Sequence, residues 1–337
     1  MIWRIRLPAI GLALSIWLFA STVVDATPLA QASATPTGPS KDLAELQQRD
    51  SELFAVGWRL VRGNAAFCKD AAPRLGLLLH DAGAYDDPAE VRRELGLKAD
   101  IAVEAVAADS PAAQAGLTRD DTLLSLDDEN IATAFPEQKP RWKRLVAVDE
   151  ALAAATARGS VTLSWSTPEG TLHRATLTGV PACPTRFEVL AKGSKAEADG
   201  TRVILGHDFA AFSYPQNELA GAVAHELAHN LLAHRKLLDS LGRSMTRVRL
   251  TEREADRLAP WLLANAGYDP ESMVHFMRHW GPVHDGGLFR KRDHDGWDER
   301  AAMIEQEVAK VRAAIAKDGK ADWAAHFIRE DIANGKL

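Results

Sequence analysis

Hydrophobic positions return every four residues at Leu219, Val223, Leu227 and Leu231, the stripe of a helix packed into a core. Asn217 and Glu218 supply its start signal. A second helical pattern covers about 250–266, and an alanine-rich one covers 141–157. Short β-prone runs at 101–106, 161–165 and 172–177 predict strands, the last two turning around Pro168-Glu169-Gly170. Pro111 can open and Gly116 close a short helix between them and the first run. By contrast, 283–298 carries Gly286-Gly287 among alternating His, Asp, Lys and Arg, a polar and loop-like stretch.

The apolar stretch at 7–24 follows Arg4 and Arg6 and ends in the small residues of Val24-Asp25-Ala26, which reads as a secretory signal peptide over 1–26. The competing reading is an uncleaved membrane anchor, which its length permits and Pro8, Gly11 and Ser15 weaken. Membrane association is expected only in that second case. Residues 27–40, rich in Ala, Thr, Pro, Ser and Gly, read as a flexible leader. Removing 1–26 takes away Arg4, Arg6 and Asp25 and moves the formal charge from −6 to −7, with no basic cluster to offset it, so a nucleic-acid partner is not expected. The remaining length, with 46% hydrophobic residues overall, suits two modest domains. Its two cysteines, Cys68 and Cys183, are expected to be bridged in an exported protein; two inert buried thiols are the alternative.

Chemistry concentrates on the Leu219–Leu231 stripe. His225-Glu226-Leu227-Ala228-His229 is H-E-x-x-H, and on a helix positions i and i+4 share a face, so both imidazoles can reach one metal while Glu226 faces the water to be activated. A catalytic zinc takes three protein ligands and keeps one position open, and Glu252 on the second helix completes a His-His-Glu set. Asp256, one turn on, can accept from a ligand imidazole and fix its tautomer. His275 and His279 repeat the i, i+4 spacing without a following Glu and read as an ordinary amphipathic helix. His234, five residues after His229, lies off the ligand face and is expected to be a helix-end residue that meets terminal carbonyls.

HELAH, the further His at 234 and Glu252-Arg253-Glu254-Ala255-Asp256 resemble the gluzincin zinc metallopeptidases of the family containing the CaaX prenyl proteases, HtpX, Oma and BepA. Three further segments extend the likeness: the run 198–204 before the active-site helix, Ala266-Gly267-Tyr268-Asp269-Pro270, and His294 six residues before Arg300. Asp295, where the family has Pro, and Pro260 inside the second helix depart from it. The resemblance implies one Zn2+ per chain, a mainly helical domain with a small β-sheet, and hydrolysis of peptide bonds with Glu226 as base. It also brings His294 towards the metal, to stabilise the oxyanion or to plug the open position. The run 201–205, with Thr201, Val203 and Leu205, is the expected edge for an extended substrate, which suits an unfolded or envelope polypeptide.

Residues 110–117, Ser-Pro-Ala-Ala-Gln-Ala-Gly-Leu, followed by Asp121-Thr122-Leu123-Leu124-Ser125-Leu126, resemble a PDZ domain of the bacterial protease-associated type, with Asp120 in place of the usual Gly. The resemblance implies a possible peptide ligand, with Leu95-Gly96-Leu97-Lys98 as the carboxylate loop and the peptide beside Ile101–Val106. Asp109, Asp120 and Asp121 disfavour a terminal carboxylate, and a domain that only packs on its neighbour is the other reading. The expected architecture is α+β: a helical part at 41–89, an inserted PDZ-like β-rich domain at 90–181 and a zinc metallopeptidase domain at 182–337. The expected function is that of a zinc endopeptidase, periplasmic or otherwise exported; the alternative is a self-inhibited chaperone or adaptor that works through the PDZ-like domain.

Overall fold

The structure, a computed structural model, describes residues 40–284 and 295–335. The expected signal peptide, residues 27–39 of the leader and His294 lie outside the described residues. Among the described residues no helix is long and apolar enough to cross a membrane.

Helix α1 (Lys41–Gly63) starts where the Ser40 hydroxyl accepts from the Leu43 amide. Strands β1 (Ala72–Arg74) and β2 (Leu77–Asp81) and helix α2 (Pro88–Leu95) follow. Next come β3 (Ile101–Val106), α3 (Pro111–Gln114), β4 (Thr122–Leu126), β5 (Glu129–Asn130), α4 (Ile131–Ala134), α5 (Trp142–Ala157), β6 (Val161–Ser166) and β7 (Leu172–Leu177). The main path of this sheet runs β2-β3-β4-β6-β7 with every neighbouring pair antiparallel, and β5 pairs with β4. Its core gathers Ile101, Val103, Leu123, Leu163 and Trp165 from the strands and Val148, Leu152 and Ala155 from α5.

The sheet therefore begins at Leu77, well before the expected boundary at 90. Leu77-Leu78-Leu79 is a short apolar run without alternation, and such a run does not declare itself as strand or buried helix. The region 41–89 is accordingly helical only in part.

Strand β8 (Val180–Ala182) returns to pair with β1, and β9 (Arg186–Leu190), β10 (Ala196–Ala198) and β11 (Arg202–Gly206) make a three-stranded sheet in the order β10-β11-β9. The helices are α6 (Gln216–Leu231), α7 (His234–Leu241), α8 (Met245–Asn265), α9 (Ser272–His284), α10 (Trp297–Asp318) and the short α11 (Trp323–His326). One core joins α1, α6, α8, α9 and α10 through Leu60, Val223, Leu227, Leu258, Met277 and Ile304. Pro260 is accommodated inside α8, which runs on to Asn265.

Cys68 and Cys183 form the expected disulfide, with Cα atoms 5.6 Å apart across a sequence separation of 115 residues. A loop of that length removes enough freedom from the unfolded chain to stabilise by about 4–5 kcal/mol on the chain-entropy account. It ties the segment after α1 to the segment after β8, so both ends of the inserted sheet are held at one point. The whole is a mixed helix and sheet fold.

A buried charge cluster sits where α1 crosses the sheet. Glu104 on β3 and His80 on β2 are both buried, and their nearest atoms are 3.6 Å apart with no hydrogen bond to either carboxylate oxygen. Burial, with Asp50 adding to it, raises the Glu104 carboxyl from 4.5 to about 8. The unfolded chain releases this proton above about pH 4.5 and the folded chain keeps it until about pH 8, so stability falls as pH rises through that window. Glu104→Gln should flatten this slope and stabilise the protein at pH 8 by on the order of 2–4 kcal/mol, with little change at pH 4.5, as read by urea unfolding at both values.

Candidate metal centre

Helix α6 presents His225 and His229 one turn apart towards α8, where the Glu252 carboxylate faces them. The two Nε2 atoms are 3.2 Å apart, and Glu252 Oε2 and Oε1 lie 3.4 Å and 3.5 Å from the Nε2 atoms of His225 and His229. A tetrahedral ion with bonds of about 2.0–2.2 Å holds its ligand atoms roughly 3.3–3.5 Å apart, so the three donors stand at the edges that zinc requires. Among the described residues this is the one group of three His, Cys, Asp or Glu side chains able to hold a metal ion. His275 and His279 gather no such set; His279 Nδ1 meets Glu218 Oε2 at 2.8 Å and its ring stacks on Tyr214.

Behind His225, Asp256 Oδ1 lies 3.0 Å from Nδ1, close though not squarely aligned. Asp256 in turn accepts from Arg300 Nε and a terminal guanidinium nitrogen, both at 2.7 Å, in the two-pronged geometry that Arg favours. Burial pushes the Asp256 carboxyl up, but Arg300 and His225 outweigh it and hold it at about 2. Burial also lowers His225, and here Asp256 and Glu252 prevail and raise it to about 10, whereas burial takes His229 down to about 3. Arg300 is thus a structural partner of Asp256.

His234 departs from expectation. Ala233 adopts a left-handed conformation (φ 56°, ψ 38°), which ends the path of α6 and restarts the chain as α7 in a new direction. The 100° per residue that would carry position 234 off the ligand face no longer applies. Its ring lies buried against His229, Nδ1 to Nδ1 at 2.8 Å, with Nε2 2.8 Å from Glu254 Oε2.

Glu226 opens onto the same cleft, of about 340 Å³, together with Ala196, Glu197 and Ala198 of β10. Burial raises its carboxyl to about 7. Thr201, Val203 and Leu205 do not offer the expected edge: β11 lies between β10 and β9, and Val203 and Leu205 are fully buried. The outer strands are β10 and β9, and it is β10 that lines the cleft. In its ladder with β11 the Asp199 amide donates to the Arg202 carbonyl and the Gly206 amide to that of Lys195. Antiparallel alternation then turns Ala196 and Ala198 outward. Asn230, beside His229, fixes this hairpin to α6 by accepting from the Gly200 amide at 2.7 Å and donating to the Arg202 carbonyl at 2.9 Å. Nothing in its sequence position marked it.

In the larger sheet, β3 has neighbours on both sides, so no peptide can add beside it. Gly96 caps α2, and the Lys98 amide donates to Thr122 Oγ1, so Leu95–Lys98 forms a helix end. Of the two strands that end the main path, β2 and β7, it is β2 that borders a cleft. A cavity of about 380 Å³ lies between it and α5, lined by Leu75 to Leu79, Asp149, Leu152 and Ala153, and by Phe54 and Trp58 of α1. Leu75-Gly76-Leu77 forms its corner. Gly76 has φ 68°, and a Cβ there would come within 2.3 Å of the Ser110 side chain, so only glycine fits.

Residues 102–158 match the family model of the PDZ domain, so a PDZ domain occupies this part of the chain. No curated protein matches the chain.

Arg300→Leu should leave Asp256 buried without its counter-charge and cost about 3–5 kcal/mol, visible as a lowered urea midpoint at unchanged slope.

Proposed function

We propose that the chain is a zinc-dependent endopeptidase, and the observation that carries this reading is the convergence of His225, His229 and Glu252 at zinc-ligand spacing beside Glu226 in an open cleft. Two Nε2 atoms and a carboxylate facing one another at these distances repel unless a cation or a proton lies between them. When bound, zinc polarises a carbonyl and lowers the pKa of water. The chain's own groups supply the rest. Glu226 takes the proton from water as its oxygen adds to the scissile carbonyl carbon, and returns it to the amide nitrogen as the C–N bond breaks. Ala196 and Ala198 can pair with an extended substrate through backbone groups alone, which reads main chain more than side chains and suits an unfolded polypeptide. The disulfide is compatible with an exported protein, and a periplasmic location is part of the same proposal. Glu226→Gln should keep zinc and fold yet lower casein cleavage by several orders of magnitude, whereas His225→Ala should lose the metal; a chelator should abolish wild-type cleavage. Full activity in zinc-loaded Glu226→Gln would remove the reading.

A second activity is favoured by the cleft between β2 and α5. A PDZ domain suggests peptide binding, and β2 has the unpaired edge to which a strand can add. This is compatible with the enzyme and would also serve an adaptor without catalysis. Ala153→Trp fills the cleft from α5 and should abolish retention of extended peptides, measured by fluorescence anisotropy, while leaving zinc content unchanged. Equal peptide binding by the variant would move the site elsewhere.

A further inference from the structure

The inner surface of α8 carries Glu254, fully buried and two residues beyond Glu252. Its Oε1 accepts from Arg329 Nε and from the Glu330 amide, both at 2.6 Å, and its Oε2 faces His234 Nε2 at 2.8 Å. A carboxylate that already accepts from a guanidinium and an amide has no donor role left, so the proton in the third contact belongs to His234 Nε2. The other nitrogen of that neutral ring, Nδ1, is then an acceptor. It stands 2.8 Å from His229 Nδ1, which must be the donor of that pair. His229 thereby carries its proton on Nδ1, and its lone pair on Nε2 faces His225 and Glu252. The opposite polarity would place a proton on His229 Nε2 and block it as a ligand.

We propose that His234 and Glu254 are positioning residues for the metal centre: through the chain Glu254 to His234 to His229 they select the tautomer and fix the ring of the second histidine ligand. Asp256 serves His225 directly, whereas His229 is served through an intervening imidazole. Arg329, which also donates to the Leu232 carbonyl at 3.4 Å, and the Glu330 amide hold Glu254 as Arg300 holds Asp256. The inference rests on the metal reading above, and its test separates the two.

The experiment measures zinc affinity of the full chain by competition with a chromophoric chelator, alongside thermal unfolding of the metal-free proteins. His234→Leu should weaken zinc binding on the order of 10- to 100-fold. His234→Gln should restore affinity to within about threefold of wild type, because its amide oxygen can accept from His229 Nδ1 while its NH2 donates to Glu254. If His234→Leu does not fold, Glu254→Gln provides the reading: loss of the obligate acceptor lets His234 reverse its polarity, and zinc affinity should fall about tenfold. Unchanged affinity in His234→Leu or in Glu254→Gln, or equal weakening by Leu and Gln at position 234, overturns the positioning role while zinc binding by the wild type stands. A wild-type chain that binds no zinc overturns the metal reading itself, and this inference with it.

Discussion

Two imidazoles can point their Nε2 lone pairs at one spot only if something behind each ring claims the proton on Nδ1. In the proposed zinc reading, that requirement accounts for much of the polar packing in the helical part of the molecule. It places Asp256 inside α8, brings the first turns of α10 against it through Arg300, turns the chain at Ala233, and draws the segment after α11 inward to meet Glu254. Three of the charged groups involved, Asp256, Glu254 and Arg300, are buried, and such groups persist inside a protein only when paired and hydrogen-bonded. The packing of α8 against α6 and α10 therefore serves two ends, a continuous apolar core and a polar seam through it.

What could be read from the sequence was what depends on local spacing. The i, i+4 relation of His225 and His229 and the repeat of Leu219, Val223 and Leu227 are properties of one helix, and they emerged where the pattern placed them. Glu252 and Asp256 share a face of α8 for the same reason. His234 escaped because spacing arguments assume that a helix continues, and a single left-handed residue cancels that assumption. Arg329 and Asn230 were equally silent: one acts across 75 residues of chain and the other on a backbone hairpin rather than a charged group.

The sheets carry a related lesson. Residues 101–106 read as a strand and form one, yet its place within the sheet depends on which strands become its neighbours, and that is decided by non-local pairing. Both edges expected to receive a peptide, β3 and β11, lie inside their sheets. The edge strands that border the two clefts, β2 and β10, are an unalternating leucine run and a three-residue segment, neither with a pattern to announce it. Leu75-Gly76-Leu77 is the exception in hindsight: a glycine between two apolar residues just before a strand is a signal, and its positive φ gives the reason.

The bridge between Cys68 and Cys183 encloses the entire inserted sheet in one covalent ring. A proteolytic nick anywhere within that ring leaves both pieces joined, so the molecule would migrate as a single chain until reduced. Damage to the peptide-facing part need not release the helical part, and the two can be lost separately in function while remaining one molecule in mass.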